Sequence, residues 1–124
     1  MAQIMIVDDS PIMRRNLRKI VIDAGHTVVA EAQNGQEAYD LYMKFMPDLT
    51  TMDITMPIVN GIDALKNILN DFPGARIIMI SGLEQKQTVY QAIELGAKHY
   101  IIKPITIDKV ISVINEVLDP ENYE

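Results

Sequence analysis

Short apolar runs that stop abruptly on a charged side chain recur along this chain, and that pattern constrains the fold more than any other feature. Ile4, Met5, Ile6 and Val7 end on Asp8 and Asp9; Leu49, Thr50, Thr51 and Met52 end on Asp53; Tyr100, Ile101 and Ile102 end on Lys103, just before Pro104. Runs this short read as buried parallel strands whose ends emerge in a site. Strand-like runs fall near 3–8, 27–32, 48–53, 76–81 and 99–103.

Helical patterns lie between and after them. The first starts at Ser10-Pro11, a hydroxyl N-cap followed by proline at the first helical position. It puts Met13, Leu17, Ile20, Val21 and Ala24 on one face and stops at Gly25. A second runs from Asn34 to about Met46, a third from Asn60 to about Asp71, and a fourth over about 84–95, ending at Gly96. The last begins at the N-cap Thr106 and carries Val110, Val113, Ile114 and Val117 inward to about Leu118. Five strands alternating with five helices predict an α/β protein with a doubly wound parallel sheet and helices on both faces. In such sheets the ligand site lies beyond the carboxyl ends of the strands, where Asp9, Asp53, Ser81 and Lys103 all fall.

Length makes this one domain, 1–124, with no effector domain expected. A cytoplasmic location is expected, because no apolar run approaches the roughly 20 residues of a membrane span and the first run ends in two acids. The absence of cysteine excludes disulfides, thiolate metal sites and cysteine nucleophiles. A net charge of −6 argues against nonspecific nucleic-acid binding. Residues 105–124 carry Asp108, Glu116, Asp119, Glu121 and Glu124 against Lys109 alone, while Arg14, Arg15, Arg18 and Lys19 form a basic stripe read as opposite the apolar face of the first helix.

Three carboxylates converging at strand ends need a cation, and Lys103 supplies only one charge. The constellation therefore points to a metal site with phosphate chemistry beside it. Asp8-Asp9-Ser10, Asp53 within Met52-Asp53-Ile54-Thr55-Met56-Pro57, Asn60-Gly61, Ser81-Gly82 and Lys103-Pro104 resemble the response-regulator receiver family over essentially the whole chain. The resemblance is closest to stand-alone chemotaxis regulators of the CheY type. It implies a flavodoxin-like (βα)5 fold with strand order 2-1-3-4-5, an order taken from the family and not read from the residues.

The resemblance further implies a phosphoacceptor that switches a partner-binding face, with Asp53 as nucleophile and Lys103 and Ser81 drawn onto the phosphoryl oxygens. Mg²⁺ takes oxygen ligands, which suits Asp9 and Asp53 directly, Asp8 through a water, and the backbone carbonyl of Thr55 as the family pattern implies. With Mg²⁺ and Lys103 the three carboxylates sum to zero, and an acyl phosphate of about −2 charge leaves one surplus negative charge. Ser81 and Tyr100 are the implied switch, and Lys103-Pro104 the implied cis peptide. Implied partners are a sensor histidine kinase as phosphodonor, a motor or adaptor protein at the face of the fourth helix, fifth strand and fifth helix, and a phosphatase. No nucleic acid, no membrane and a monomer are expected.

The protein is expected to be a self-modifying acceptor and not a turnover enzyme. Leu83, apolar two residues after Ser81, cannot orient a water and predicts slow self-hydrolysis, while Gly82 leaves the approach open. The arginine stripe reads as a solvated surface or as a dock for the donor. Alternatives are a phosphorelay shuttle outside motility and a phosphatase like the haloacid dehalogenase superfamily. The latter needs an Asp-x-Asp nucleophile motif on its first strand, and Thr55 breaks it here. A flavodoxin-like electron carrier would lack the repelling pair Asp8-Asp9. A degenerate receiver would lack an acid, the acceptor or the lysine.

Overall fold

A computed structural model of the chain describes residues 1–121. Glu124, one of the acids counted in the C-terminal segment, lies outside them. Five strands, β1 (Gln3–Val7), β2 (Thr27–Ala32), β3 (Leu49–Met52), β4 (Ile77–Ser81) and β5 (His99–Ile102), alternate with α1 (Pro11–Asp23), α2 (Gly35–Phe45), α3 (Gly61–Asp71), α4 (Lys86–Leu95) and α5 (Ile107–Leu118). All strand pairings are parallel, in the order β2-β1-β3-β4-β5. The order reverses at β1, which pairs with both β2 and β3.

Side-chain alternation along each strand divides the apolar interior in two. Ile4 and Ile6 of β1 and Ile78 and Ile80 of β4 face α1 and α5, against Leu17, Ile20, Val21, Val110, Val113, Ile114 and Val117. Met5, Val7, Met52, Ile77 and Met79 face the other way, onto Ala38 and Tyr42 of α2, Leu65 and Ile68 of α3, and Ala92 of α4. Met5, Met52 and Met79 are fully buried, as expected of core filler.

Helix starts follow local chemistry. Ser10, Asn34, Asn60 and Thr106 each accept a backbone N–H three residues on, from Met13, Glu37, Asp63 and Lys109. Gly25 and Gly96 take left-handed backbone after α1 and α4. α4 is the exception: it starts at Lys86, two residues later than its sequence pattern indicates, and its N-cap Gln85 makes no side-chain cap bond. No acidic or hydroxyl side chain precedes it at the right spacing to fix the first turn.

The connection from β3 to α3 is held tightly. Gly61 N–H donates to Ile54 O at 2.8 Å, and a Cβ on Gly61 would sit 1.8 Å from the Asp53 carbonyl oxygen. Glycine is required there by contact with the residue that ends β3. Val59 N–H donates to Pro57 O at 2.8 Å, closing a three-residue turn with Ile58 at a φ of 70. No helix among the described residues is long and apolar enough to cross a membrane.

Candidate functional site

Asp8, Asp53 and Lys103 each stand one step beyond a strand, with Ser81 at the last position of β4, and the sheet's own hydrogen bonds fix the three where they stand. Asp8 N–H donates to Ala32 O at 3.0 Å, Asp53 N–H to Val7 O at 2.9 Å, and Lys103 N–H to Ser81 O at 2.9 Å. Because β1 and β3 are neighbours in register, with Val7 opposite Met52, the residues that follow them come together at the point where the strand order reverses.

Carboxylate oxygens of Asp8, Asp9 and Asp53 all lie within 4.8 Å of one another. Asp8 and Asp53 are buried, at 1% and 6% exposure, whereas Asp9 is exposed. Both oxygens of Asp8 are engaged: Oδ1 accepts from Ser10 N–H at 2.9 Å and Oδ2 from Lys103 Nζ at 3.0 Å. Asp53 Oδ1 accepts from Ile54 N–H at 2.7 Å, and Oδ2 lies 3.4 Å from Lys103 Nζ. Asp9 makes no side-chain hydrogen bond among the described residues. One ammonium thus serves two buried acids, and a third acid faces outward with its lone pairs unused. Three oxygen donors with a surplus of negative charge fit a hard divalent cation.

Burial raises the Asp53 carboxyl above its ordinary 3.8; Lys103 pulls it down, Asp8 pushes it up again, and the Ile54 amide lowers it. For Lys103, burial lowers the ammonium, but the hydrogen bond to Asp8 and the charges of both acids prevail and hold it above its ordinary value. The two shifts do not mirror each other because the lysine has two carboxylates while Asp53 shares its only cation.

Ser81, Leu83 and Tyr100 form a second group beside the acids. Leu83 N–H donates to Ser81 Oγ at 3.2 Å, and the Tyr100 hydroxyl donates to Leu83 O at 2.6 Å. Tyr100 is half-buried and packs on the core beneath α2, α3 and α4. Burial raises its phenol above the ordinary value, and Ser81 acts in the opposite direction. The backbone of one residue, Leu83, therefore joins the strand-end hydroxyl to the aromatic ring. Sequence reasoning considered only the Leu83 side chain; a backbone joint leaves no residue-type signal. Thr55 lies exposed two residues beyond Asp53, and the Lys103–Pro104 peptide is cis.

The basic stripe on α1 does not hold as read. Arg14 turns inward, only 16% exposed in its side chain: its Nη1 donates to Asp8 O at 2.7 Å and its Nε lies 3.5 Å from Glu31. Helical periodicity explains this, because positions 14, 17 and 21 share a face with the buried Leu17 and Val21. Arg18 pairs with Glu31 at 2.9 Å and Lys19 with Asp23 at 3.2 Å, which leaves Arg15 as the stripe's unpaired charge among the described residues.

A cavity of about 570 Å³, lined by Met1, His26, Asp48 and Arg76 among others, lies at the opposite ends of the strands and has no part in this site. Burial lowers the His26 imidazole, whose Nδ1 accepts from Ala2 N–H at 3.0 Å, so this histidine is a neutral structural acceptor.

With this geometry established, comparison with known proteins agrees on one family. The model of the response regulator receiver domain matches residues 4–115. The chain is 45% identical to chemotaxis protein CheY of Thermotoga maritima over 115 residues, covering 93% of this chain and 96% of the relative. It is 47% identical to chemotaxis protein CheY of Bacillus subtilis over 117 residues, 94% and 98% of the two chains. Among solved structures, a CheX-CheY-BeF3-Mg complex from Borrelia burgdorferi superposes with a TM-score of 0.91 at 37% identity, covering 93% of this chain and 87% of that one. The chain belongs to the response regulator receiver family and is of its CheY type.

Proposed function

We propose that the protein is a phosphoacceptor of two-component signalling, with Asp53 as the residue modified. The observation that carries this reading is the convergence on Asp53 of two further acids and one lysine, with the acceptor buried and its other oxygen tied to a backbone amide. Mg²⁺ held by Asp9, Asp53 and the Thr55 carbonyl, with Asp8 through water, would supply the positive charge that phosphate needs near three carboxylates.

Asp53 attacks the phosphorus of a phosphohistidine; the new O–P bond forms as the P–N bond breaks, and its electron pair returns to the donor imidazole. Lys103, already between Asp8 and Asp53, neutralises charge on the transferred group, and the Ser81 hydroxyl donates a hydrogen bond to a phosphoryl oxygen. Ser81 then exchanges its contact with Leu83 N–H for the phosphate, and the change reaches Tyr100 through the Leu83 peptide. Water later attacks the same phosphorus and releases inorganic phosphate. The protein is modified and reset, not turned over as a catalyst.

The output face is α4, β5 and α5, where a cavity of about 470 Å³ is lined by Tyr100, Ile101, Ile102, Pro104, Thr106 and Lys109. The CheY relatives favour a chemotaxis partner there, a motor or adaptor protein, and the Borrelia complex favours a CheX-type protein as a second partner. A relative at 45% identity carries a different name, Protein CcdB of Bacillus subtilis, and supports a receiver outside motility as the second reading.

Intact mass after incubation with acetyl phosphate and Mg²⁺ tests the central reading. Wild type gains one phosphoryl group and Asp53→Asn gains none; no adduct on wild type overturns it. The same sample, followed after donor removal, is expected to lose phosphate slowly, because the Leu83 side chain offers a water no hydrogen bond. Capture of a motility protein by the phosphorylated form, and not by Asp53→Asn, separates the two signalling contexts.

A further inference from the structure

Among the described residues no side chain holds Asp9, so the backbone that leads into it carries its placement. We infer that Arg14 is a positioning residue, fixing the peptide that joins Asp8 to Asp9 so that the Asp9 carboxylate meets those of Asp8 and Asp53. The inference rests on the metal-dependent phosphoacceptor reading above and assigns a role within it.

A peptide unit is planar, so the Asp8 carbonyl and the Asp9 N–H turn together. Arg14 Nη1 holds that carbonyl at 2.7 Å. The rest of Asp8 is pinned by Ala32 O, Ser10 N–H and Lys103 Nζ, so the Asp8–Asp9 peptide is the joint that Arg14 is placed to fix. Arg14 is itself held at both ends. Its backbone N–H donates to Ser10 O at 3.0 Å in the first turn of α1, and its guanidinium lies 3.5 Å from Glu31 Oε1. Glu31 in turn binds Arg18 through its second oxygen at 2.9 Å. A planar guanidinium can bridge an edge-strand carboxylate and a loop carbonyl in one fixed orientation; an ammonium cannot.

Charge alone predicts the opposite effect. A guanidinium beside a cation site repels the cation, so removing it should strengthen Mg²⁺ binding if Arg14 acts only through its charge. Removal weakens binding if Arg14 acts by positioning, since outer-shell partners commonly influence metal affinity about tenfold or more.

The test is a Mg²⁺ titration followed by backbone amide NMR on wild type, Arg14→Ala, Arg14→Lys and Arg15→Ala, with thermal melts to verify folding. Arg14→Ala is expected to bind Mg²⁺ about tenfold more weakly and to move the Asp9 amide resonance already in metal-free protein. Arg15→Ala removes the same charge from an exposed neighbour and is expected to bind unchanged or slightly more tightly. Arg14→Lys keeps the charge but falls between wild type and Arg14→Ala. Arg14→Ala binding as tightly as wild type, or more tightly, overturns the inference. Wild type failing to bind Mg²⁺ overturns the phosphoacceptor reading instead, and the metal-free Asp9 shift then still decides whether Arg14 positions the loop. If Arg14→Ala does not fold, Glu31→Gln, which loosens the guanidinium without removing it, is expected to weaken Mg²⁺ binding in the same direction; unchanged affinity there overturns the inference.

Discussion

Asp53 ionises against its surroundings, and that cost belongs to the residue alone. Its folded carboxyl titrates above 3.8 because burial outweighs the help of Lys103. The folded state therefore holds the proton more tightly than the unfolded chain. By linkage, stability falls as pH rises from the ordinary value through the raised one, and the cost persists at all higher pH. Asp53→Asn removes it. The variant is expected to melt at a higher temperature than wild type at pH 7 without metal, with the gap closing once the pH falls below the ordinary carboxyl value. Equal melting at neutral pH would contradict the argument. In the sequence the same residue was marked only in company: an acid ending an apolar run says little until Asp8, Asp9, Ser81 and Lys103 are seen to end runs of their own. Arg14 was not: four basic residues in close succession look alike in sequence, and only the inward helical phase of position 14 distinguishes one of them.

Among the elements, β3 carries an unusual load. Thr50 and Thr51 are buried at 0% and 1% exposure, on opposite faces of the central strand, and neither hydroxyl has a hydrogen-bond partner among the described residues. An unpaired buried hydroxyl costs on the order of 1 kcal/mol or more. Thr50→Val and Thr51→Val keep the branched shape and remove the polar atom. Each is expected to raise stability by roughly 1 kcal/mol, measured by denaturant midpoint at constant slope. A lower midpoint in both would mean the hydroxyls are satisfied and the strand is not under this load. Strand and helix positions were otherwise well marked, because four helices begin on a side chain that caps them. α4 was placed two residues early for want of such a cap, and it buries Ala92 alone. A helix held this lightly beside β5 has few packing contacts to oppose its displacement.

At the scale of the whole molecule, the sheet keeps the two apolar cores apart, and the Leu83–Tyr100 joint belongs to one of them. Helices expected on both faces of the sheet implied a core on each side, but the joint itself rests on a backbone carbonyl of Leu83, which no residue type announces. The methionines follow the same division: Met5, Met52, Met56 and Met79 all lie in the core that Tyr100 packs against, and Met79 is paired in register with Tyr100 itself. Met43 stands outside on α2 at 53% exposure. The protein thus contains its own spectroscopic reporters. In a sample labelled only at methionine ε-methyls, the Met79 signal is expected to move on phosphorylation while Met43 stays in place. An adduct by mass with Met79 unmoved would show that the core does not take part in the switch. With no cysteine in the chain, a single one introduced on α4 would give a unique attachment point for a distance probe against the same event.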